Sequence, residues 1–390
     1  MAVYDLVFEG GGAKCIAFGG ALAEFAAAGH AYGRLVGTSG GAVTAMLCAA
    51  GYTSAELLAL AAEKVDGRAR FATFLDPPVA RDFAPEDIDR SLLVEIFGRL
   101  RVPFVGRALV KTLLAVQPFC QLFSLIECGG FFAGVRIHEW LCERLAAKGL
   151  PAGVTFREFN ARTGADLSLI VSDSTEMELL ILNHRTAPDC PVAWGARMSL
   201  GIPFLWREVR WRKEWGLYRG RVKDGCVMID GGALSNFPLW LFAADPNDPF
   251  IRAVLGPAPA VKAANLGFFL DDERVVPDAP PPPALAQLLG SLRTVQRIMR
   301  VVETVTVSRD KITSEYHPQA VCYLPTLSYA VTEFNMTDER RAALVEAGRY
   351  AMKMHLRHDK IDQRRLGGPP VWAYGGQPTP QVIKPKPVGE

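Results

Sequence analysis

The chain has 390 residues, 49% hydrophobic and 22% charged, the balance of a globular protein large enough to bury a core and an enclosed site. Its 43 Lys and Arg face 41 Asp and Glu for a formal net charge of +2, which argues against nucleic-acid affinity or an acidic tail across the whole chain; any basic function must be local. The eight cysteines, Cys15, Cys48, Cys120, Cys128, Cys142, Cys190, Cys226 and Cys322, lie among apolar neighbours without C-x-x-C spacing, and the six histidines are dispersed. Buried thiols of a reducing compartment are expected, with no metal and no cofactor.

The N-terminal run MAVYDLVFEGGG starts a strand at once, without a basic region, an apolar signal core or a small-residue cleavage site. A cytoplasmic protein is expected, or one exported by a route the sequence does not display. The strand YDLVFEG leads through Gly10, Gly11 and Gly12 into the helical pattern AKCIAFGGALAEFAAAG. Glycines without β-carbons let backbone N–H groups approach an anion closely, and the helix adds the positive end of its dipole. A nucleotide phosphate, a dinucleotide pyrophosphate and the oxyanion of acyl transfer are the three candidates. The phosphate loop fails because Lys14 is followed by Cys15 rather than Ser or Thr. The dinucleotide fingerprint is weakened by Cys15 at its last position and by the lack of an acid closing the next strand, HAYGRLVGTS.

That second strand, GRLVGTS, precedes the helical pattern GAVTAMLCAAG, so strand and helix alternate as in an α/β protein with parallel strands. The junction reads Gly37-Thr38-Ser39-Gly40-Gly41, a Gly-x-Ser-x-Gly turn of the kind that exposes a nucleophilic hydroxyl at a helix N-terminus. From Asp76 to about Gly134 the rhythm breaks into Pro-rich loop and apolar helix, read as an inserted cap. Within it Ala108 to Ile126 is interrupted by Lys111, Gln117, Pro118 and Gln121, which makes a poor transmembrane span. It reads first as buried core and second, with the Gly129 to Phe132 segment GGFF, as a lid or membrane-facing wall.

Further strands are expected at LSLIVSDS, LLILNH, CVMID and NLGFFLD. Between them WREVRWRKEWGLYRGRVKD, Trp206 to Asp224, interleaves aromatic and basic residues. A hairpin with inward-packed aromatics is the favoured reading, ahead of an anionic membrane interface and of nucleic acid. CVMID ends on Asp230, followed by Gly231 and Gly232, so its carboxylate is expected at the carboxyl end of a sheet strand, where ligands of open α/β sheets gather. The prolines Pro280 to Pro283 precede a helical segment from about Ala284 to Glu315, and the Gly- and Pro-rich end is expected to be an extended or disordered tail. No internal repeat is found.

A serine hydroxyl needs a base. His138, His184, His317, His355 and His358 follow Ser39, but none sits in a Gly-rich loop at a strand end; one carboxylate stands out instead, Asp230, read either as a group facing a ligand or as an Asp that only begins a turn.

Taken in order, GGGAKC, GTSGG and DGG resemble the patatin-like phospholipase family. The resemblance spans about Leu6 to Pro238 and includes ARMSLGIPFLWREV, Ala196 to Val209, whose Pro203 matches the proline of the family's block before its aspartate. It implies a three-layer α/β sandwich: a mostly parallel central sheet with helices on both faces, a helical cap at 76–134 inserted into a catalytic domain of 1–365, and a tail at 366–390. It also implies a lipid acyl hydrolase of phospholipase A or lysophospholipase type. Ser39 would be the nucleophile, Asp230 the general base and Gly10, Gly11 and Gly12 the oxyanion hole, with Lys14, Gly37, Gly41, Gly231 and Gly232 in support. Cys15 occupies the place of the loop's last glycine, and Lys14 would meet a lipid phosphate or only solvate its helix. The implied partners are an acyl-lipid substrate and a membrane surface bound peripherally, with no nucleic acid; a protein or nucleotide activator is left open. A neutral-lipid hydrolase, an acyltransferase and an activator-dependent effector or antiviral phospholipase would use the same residues, while a non-catalytic lipid-binding protein would not need all three blocks.

Overall fold

The structure, a computed structural model, describes residues 2–99, 105–257, 263–281 and 317–364. The expected helix at 284–315, Pro282 and Pro283 of the proline run, and the tail at 366–390 lie outside the described residues.

Its strands in chain order are β1 (Val3–Phe8), β2 (Ala31–Thr38), β3 (Lys64–Val65), β4 (Arg68–Ala69), β5 (Gly130–Phe132), β6 (Asp166–Asp173), β7 (Glu178–Leu182), β8 (Phe204–Trp206), β9 (Val209–Arg210), β10 (Val227–Asp230), β11 (Ala264–Val275) and β12 (Val321–Leu327). The central sheet runs β12-β11-β1-β2-β6, all parallel, and β7, β10 and β9 extend it antiparallel. The fold is therefore α/β with a mostly parallel sheet. Because side chains alternate across a strand, Leu6, Phe8 and Leu35 enter one apolar layer while Val7 and Val36 enter the other. The first layer is covered by α1 (Ala17–Ala27), α2 (Gly40–Ala49) and the helices Val135–Ala147, Val192–Ser199 and Asp338–Arg364. The second is covered by the short helices Trp240–Ala243 and Pro249–Leu255.

One detail of the sheet positions the site. β7 pairs with β6 at residues 169–173, β2 pairs with β6 at 166–170, and β10 pairs with β6 at 171–173. A strand has two edges, so β2 and β10 must share the edge of β6 that β7 leaves free. β2 arrives parallel and stops with Thr38 opposite Ile170; β10 arrives antiparallel and stops with Asp230 opposite Val171. The two strand ends abut. Asp230 was expected at the carboxyl end of a sheet strand and stands there, at the end of β10; that strand runs antiparallel to β6, which delivers Asp230 to the tip of β2.

The stretch 76–134 carries its own apolar cluster of Phe83, Ile88, Val110, Leu114, Cys120 and Phe123, separate from the two main layers. Its ends meet: the Asp76 carboxylate accepts N–H bonds from Gly134, Val135 and Arg136 at 2.8–3.1 Å, capping the helix Val135–Ala147. The apolar run Ala108 to Ile126 falls on two helices, Val105–Leu113 and Gln117–Cys128, with Pro118 in the first turn of the second. Val110, Leu114, Cys120 and Phe123 point into the cluster, while Leu109, Val116, Leu122 and Ile126 are exposed. Among the described residues no helix is long and apolar enough to cross a membrane.

In Trp206 to Asp224 the aromatics pack inward: Trp206, Trp211, Trp215 and Tyr218 are buried. The stretch is not one hairpin. Its first residue ends β8, which pairs parallel with β5; β9 pairs with β10; and Tyr218 bridges Arg221 in a separate turn. Burial of its tryptophans removes the aromatic anchors that a membrane or nucleic-acid face in this stretch would need.

Candidate active site

β2 gives way to α2 through Ser39, whose backbone takes φ 52° and ψ −124°, the left-handed conformation of a sharp strand-to-helix turn. The glycines flanking it are required by close approach. A β-carbon on Gly37 would lie 2.3 Å from the Gly41 carbonyl oxygen, and one on Gly41 would lie 2.4 Å from the carbonyl oxygens of Phe8 and Glu9. The strained turn is held by a buried serine: Ser39 N–H donates to Ser199 Oγ at 2.9 Å, and Ser199 Oγ donates to the Ile170 carbonyl at 2.6 Å. Thus the helix Val192–Ser199 and β6 jointly fix the turn.

At the junction of β2 and β10, Ser39 Oγ donates to Asp230 Oδ2 at 2.7 Å, and both residues are buried. The other carboxylate oxygen, Oδ1, accepts Gly232 N–H at 2.7 Å, and the Asp230 backbone N–H donates to the Gly201 carbonyl at 2.9 Å. Burial pushes the Asp230 carboxyl up to about 7, against the two hydrogen bonds, which pull it down. Gly231 lies against β6, where a β-carbon would come 2.3 Å from the Ile170 carbonyl oxygen. Among the described residues no histidine takes part in the hydrogen bonds of Ser39 or Asp230. His138 stacks on Trp194 with ring centres 3.9 Å apart, and burial lowers it to about 4.

The glycine loop packs directly on this pair: a β-carbon on Gly10 would lie 3.0 Å from Ser39 Cβ, and one on Gly40 would lie 3.0 Å from the Gly12 carbonyl oxygen. Gly10 is held on both sides by Asn236. Gly10 N–H donates to the Asn236 carbonyl at 3.1 Å, and Asn236 Nδ2 donates to the Gly10 carbonyl at 3.0 Å. Asn236 Nδ2 also donates to Glu9 Oε1 at 3.1 Å, while Glu9 Oε2 accepts Leu270 N–H at 2.5 Å. The expectation of three donor amides is therefore corrected: Gly10 is engaged with Asn236, and among the described residues Gly11 and Gly12 keep N–H groups without an acceptor. So does Gly40, the first residue of α2.

One further expectation changes. Lys14 meets neither solvent nor an open ligand site; its ammonium donates to both oxygens of Asp272 at 2.7 and 2.8 Å, anchoring the loop to β11. Cys15 lies three residues after Gly12, its thiol 3.7 Å from the Glu9 carbonyl and held well above the usual thiol range by burial and the Glu9 charge. Sequence reasoning missed Ser199, Asn236, Glu9 and Gly40. Only Asn236 had a visible marker, a small polar residue six positions after Asp230 in DGGALSN.

Against the glycine loop and the first residue of α2, next to Ser39 in sequence, lies a predominantly apolar cavity of about 100 Å³, whose walls include Gly12, Cys15, Gly40, Trp140, Trp206 and Phe334 but neither Ser39 nor Asp230. Away from it, Asp173, Glu176 and Cys226 bring ligand atoms within 4.8 Å of one another, but the buried Lys223 ammonium bonds Asp173, Glu176 and Glu178 and satisfies that cluster without a metal. The arrangement at the junction of β2 and β10 offers a hydroxyl, a base tuned near neutrality, unengaged N–H donors and an apolar recess.

Residues 6–243 match the family model Patatin-like phospholipase. The chain is 30% identical over 361 residues to the uncharacterized protein YqhO of Bacillus subtilis (strain 168), covering 90% of this chain and 98% of that one. It is 24% identical over 111 residues to the probable lipid hydrolase 463L of Invertebrate iridescent virus 6, covering 28% of this chain and 34% of that one. Among solved structures it is similar to VipD from Legionella pneumophila, with TM-score 0.45 at 17% identity, covering 91% of this chain and 66% of that one. It is also similar to the type III effector ExoU of Pseudomonas aeruginosa, with TM-score 0.39 at 19% identity, covering 93% and 53%.

Proposed function

The chain belongs to the patatin-like phospholipase family, and on that premise we propose that it is a serine acylhydrolase of phospholipase A or lysophospholipase type, with Ser39 as nucleophile and Asp230 as its base. The observation that carries this reading is the 2.7 Å hydrogen bond from Ser39 Oγ to the buried Asp230 carboxylate beside unengaged loop amides. Asp230 removes the hydroxyl proton as Oγ bonds to the ester carbonyl carbon. The resulting oxyanion is met by the N–H groups of Gly11, Gly12 and Gly40, aimed at the charge that develops in the transition state. The carbonyl re-forms, the C–O bond to the alcohol breaks, and the alcohol leaves with the proton from Asp230. Water then repeats the sequence on the acyl-enzyme, giving up its proton to Asp230 and releasing the fatty acid. The adjoining cavity takes the acyl chain.

In this reading 1–365 forms one catalytic domain with the stretch 76–134 as its inserted cap. The exposed Leu92, Ile96, Leu122 and Ile126 on cap helices support contact with a lipid surface, from which the substrate is drawn.

A fluorophosphonate probe, which phosphonylates an activated serine, tests the assignment. Wild type should label in the presence of a metal chelator, Ser39→Ala should not label, and Asp230→Asn should label at least about a hundredfold more slowly, the scale of general-base contributions. Undiminished labelling of Ser39→Ala would place the nucleophile elsewhere.

A further inference from the structure

The match to the family ends at residue 243, yet part of the wall around the cavity comes from far beyond it. After β12 the chain turns at Ser328, whose φ is 77°, and residues 328–337 fold back over the glycine loop. The Val331 carbonyl accepts Ala13 N–H at 2.9 Å, and a β-carbon on Gly12 would lie 2.3 Å from that same oxygen, so the two loops are in fixed, close contact. Three residues on, Phe334 is buried, its ring centre 5.5 Å from that of Trp206, and both rings line the cavity that Gly12, Cys15 and Gly40 also line.

The returning loop is braced from within. Arg340 and Glu333, both buried, pair through Arg340 Nε to Glu333 Oε1 at 2.5 Å and Nη2 to Oε2 at 3.0 Å. Arg340 Nη2 also donates to the Ser328 carbonyl at 2.8 Å, and Nη1 donates to the Pro280 carbonyl. Tyr329 Oη donates to the Arg340 carbonyl at 2.9 Å, with the guanidinium 4.0 Å from the centre of the Tyr329 ring. A bidentate pair whose guanidinium also bonds two backbone carbonyls fixes geometry. Phe334 directly follows the braced Glu333.

Resting on the acylhydrolase reading above, we infer that this loop sets the size of acyl group accepted, with Phe334 as the specificity-determining side chain. A rigid ring in a close-packed apolar wall excludes added methylene groups that a smaller residue would admit. Residues 328–337 then join the site in two ways: Val331 orients the donor loop, and Phe334 bounds the recess.

The test compares kcat/KM for p-nitrophenyl butyrate, octanoate, laurate and palmitate in wild type, Phe334→Ala and Phe334→Trp. The ratio of laurate to butyrate cancels any difference in the folded fraction. Phe334→Ala should raise it roughly tenfold or more, and Phe334→Trp should lower it. Loss of activity by one common factor across all four esters would reduce Phe334 to a structural role and overturn the inference. A second measurement avoids chemistry: displacement of a fluorescent fatty acid by octanoate, laurate and palmitate from Ser39→Ala and from Ser39→Ala/Phe334→Ala. A shift toward longer chains in the double variant supports the loop's role even where no ester is hydrolysed, which would count against the hydrolase reading alone. An unchanged order of displacement would overturn the loop's role whatever the hydrolysis shows.

Discussion

A carboxylate in water is a weak base for a serine, and Asp230, the proposed base, is strengthened by being taken out of water. Its pKa near 7 follows from burial, the largest contribution, offset by the hydrogen bonds from Ser39 and Gly232. Only the ionised form accepts the proton, so kcat/KM should rise with pH through about 7 and then level off. The same shift has a sign for stability. A carboxyl raised above its unfolded value favours the protonated folded state, and that contribution is lost as pH rises through the folded value. Asp230→Asn, which cannot ionise, should therefore raise the melting temperature more at about pH 8 than at about pH 5. A flat pH profile in wild type, together with an equal gain for the variant at both pH values, would contradict the account of Asp230.

At this scale the sequence reveals Ser39 and Asp230 because glycines required by close approach mark the turns that carry them. It does not reveal the partners of Lys14 or Gly10. Asp272 is 258 positions from Lys14 and Asn236 is 226 from Gly10, and neither contact leaves a local pattern.

Among the elements, the decisive feature is the end-to-end meeting of β2 and β10 on one edge of β6. Alternating strands and helices announce the parallel strands β1, β2 and β6, but the direction of β10 depends on which edge β7 leaves open, a matter of tertiary pairing. β12 escaped notice because Pro325 lies in its middle; it is tolerated there because β12 is an edge strand. The clamp on the glycine loop belongs to the same scale, since Asn236 joins the segment after β10 to the segment after β1. Its side-chain amide bonds both Gly10 and Glu9, so Asn236→Ala should loosen the loop amides proposed as oxyanion donors while leaving the apolar cavity intact. The expected outcome is a fall in kcat of about a hundredfold, the effect of one misplaced oxyanion donor, with KM within a few-fold of wild type. A change confined to KM would contradict a role in orienting that loop.

Taken whole, the molecule is an α/β core whose site is assembled from distant parts: the turn after β2, the end of β10, the glycine loop after β1 and the returning loop after β12. The stretch 76–134, the proposed cap, closes on itself through Asp76 and exposes Leu92, Leu122 and Ile126 beside its own small apolar cluster. In the sequence the stretch 76–134 is a break in rhythm, but which of its apolar residues face outward is not legible, because apolar residues lie on both faces of its helices: Val110 and Phe123 inward, Leu109 and Leu122 outward. Nor does the sequence show the role of residues 328–337, which acquire meaning only by lying against Gly12 and Trp206.

The most direct measurement is release of free fatty acid from mixed phospholipid vesicles by purified wild type and by Ser39→Ala, without added metal. Release by wild type that is absent in Ser39→Ala is the predicted result. Equal release by both proteins would contradict the assignment of Ser39 as the nucleophile.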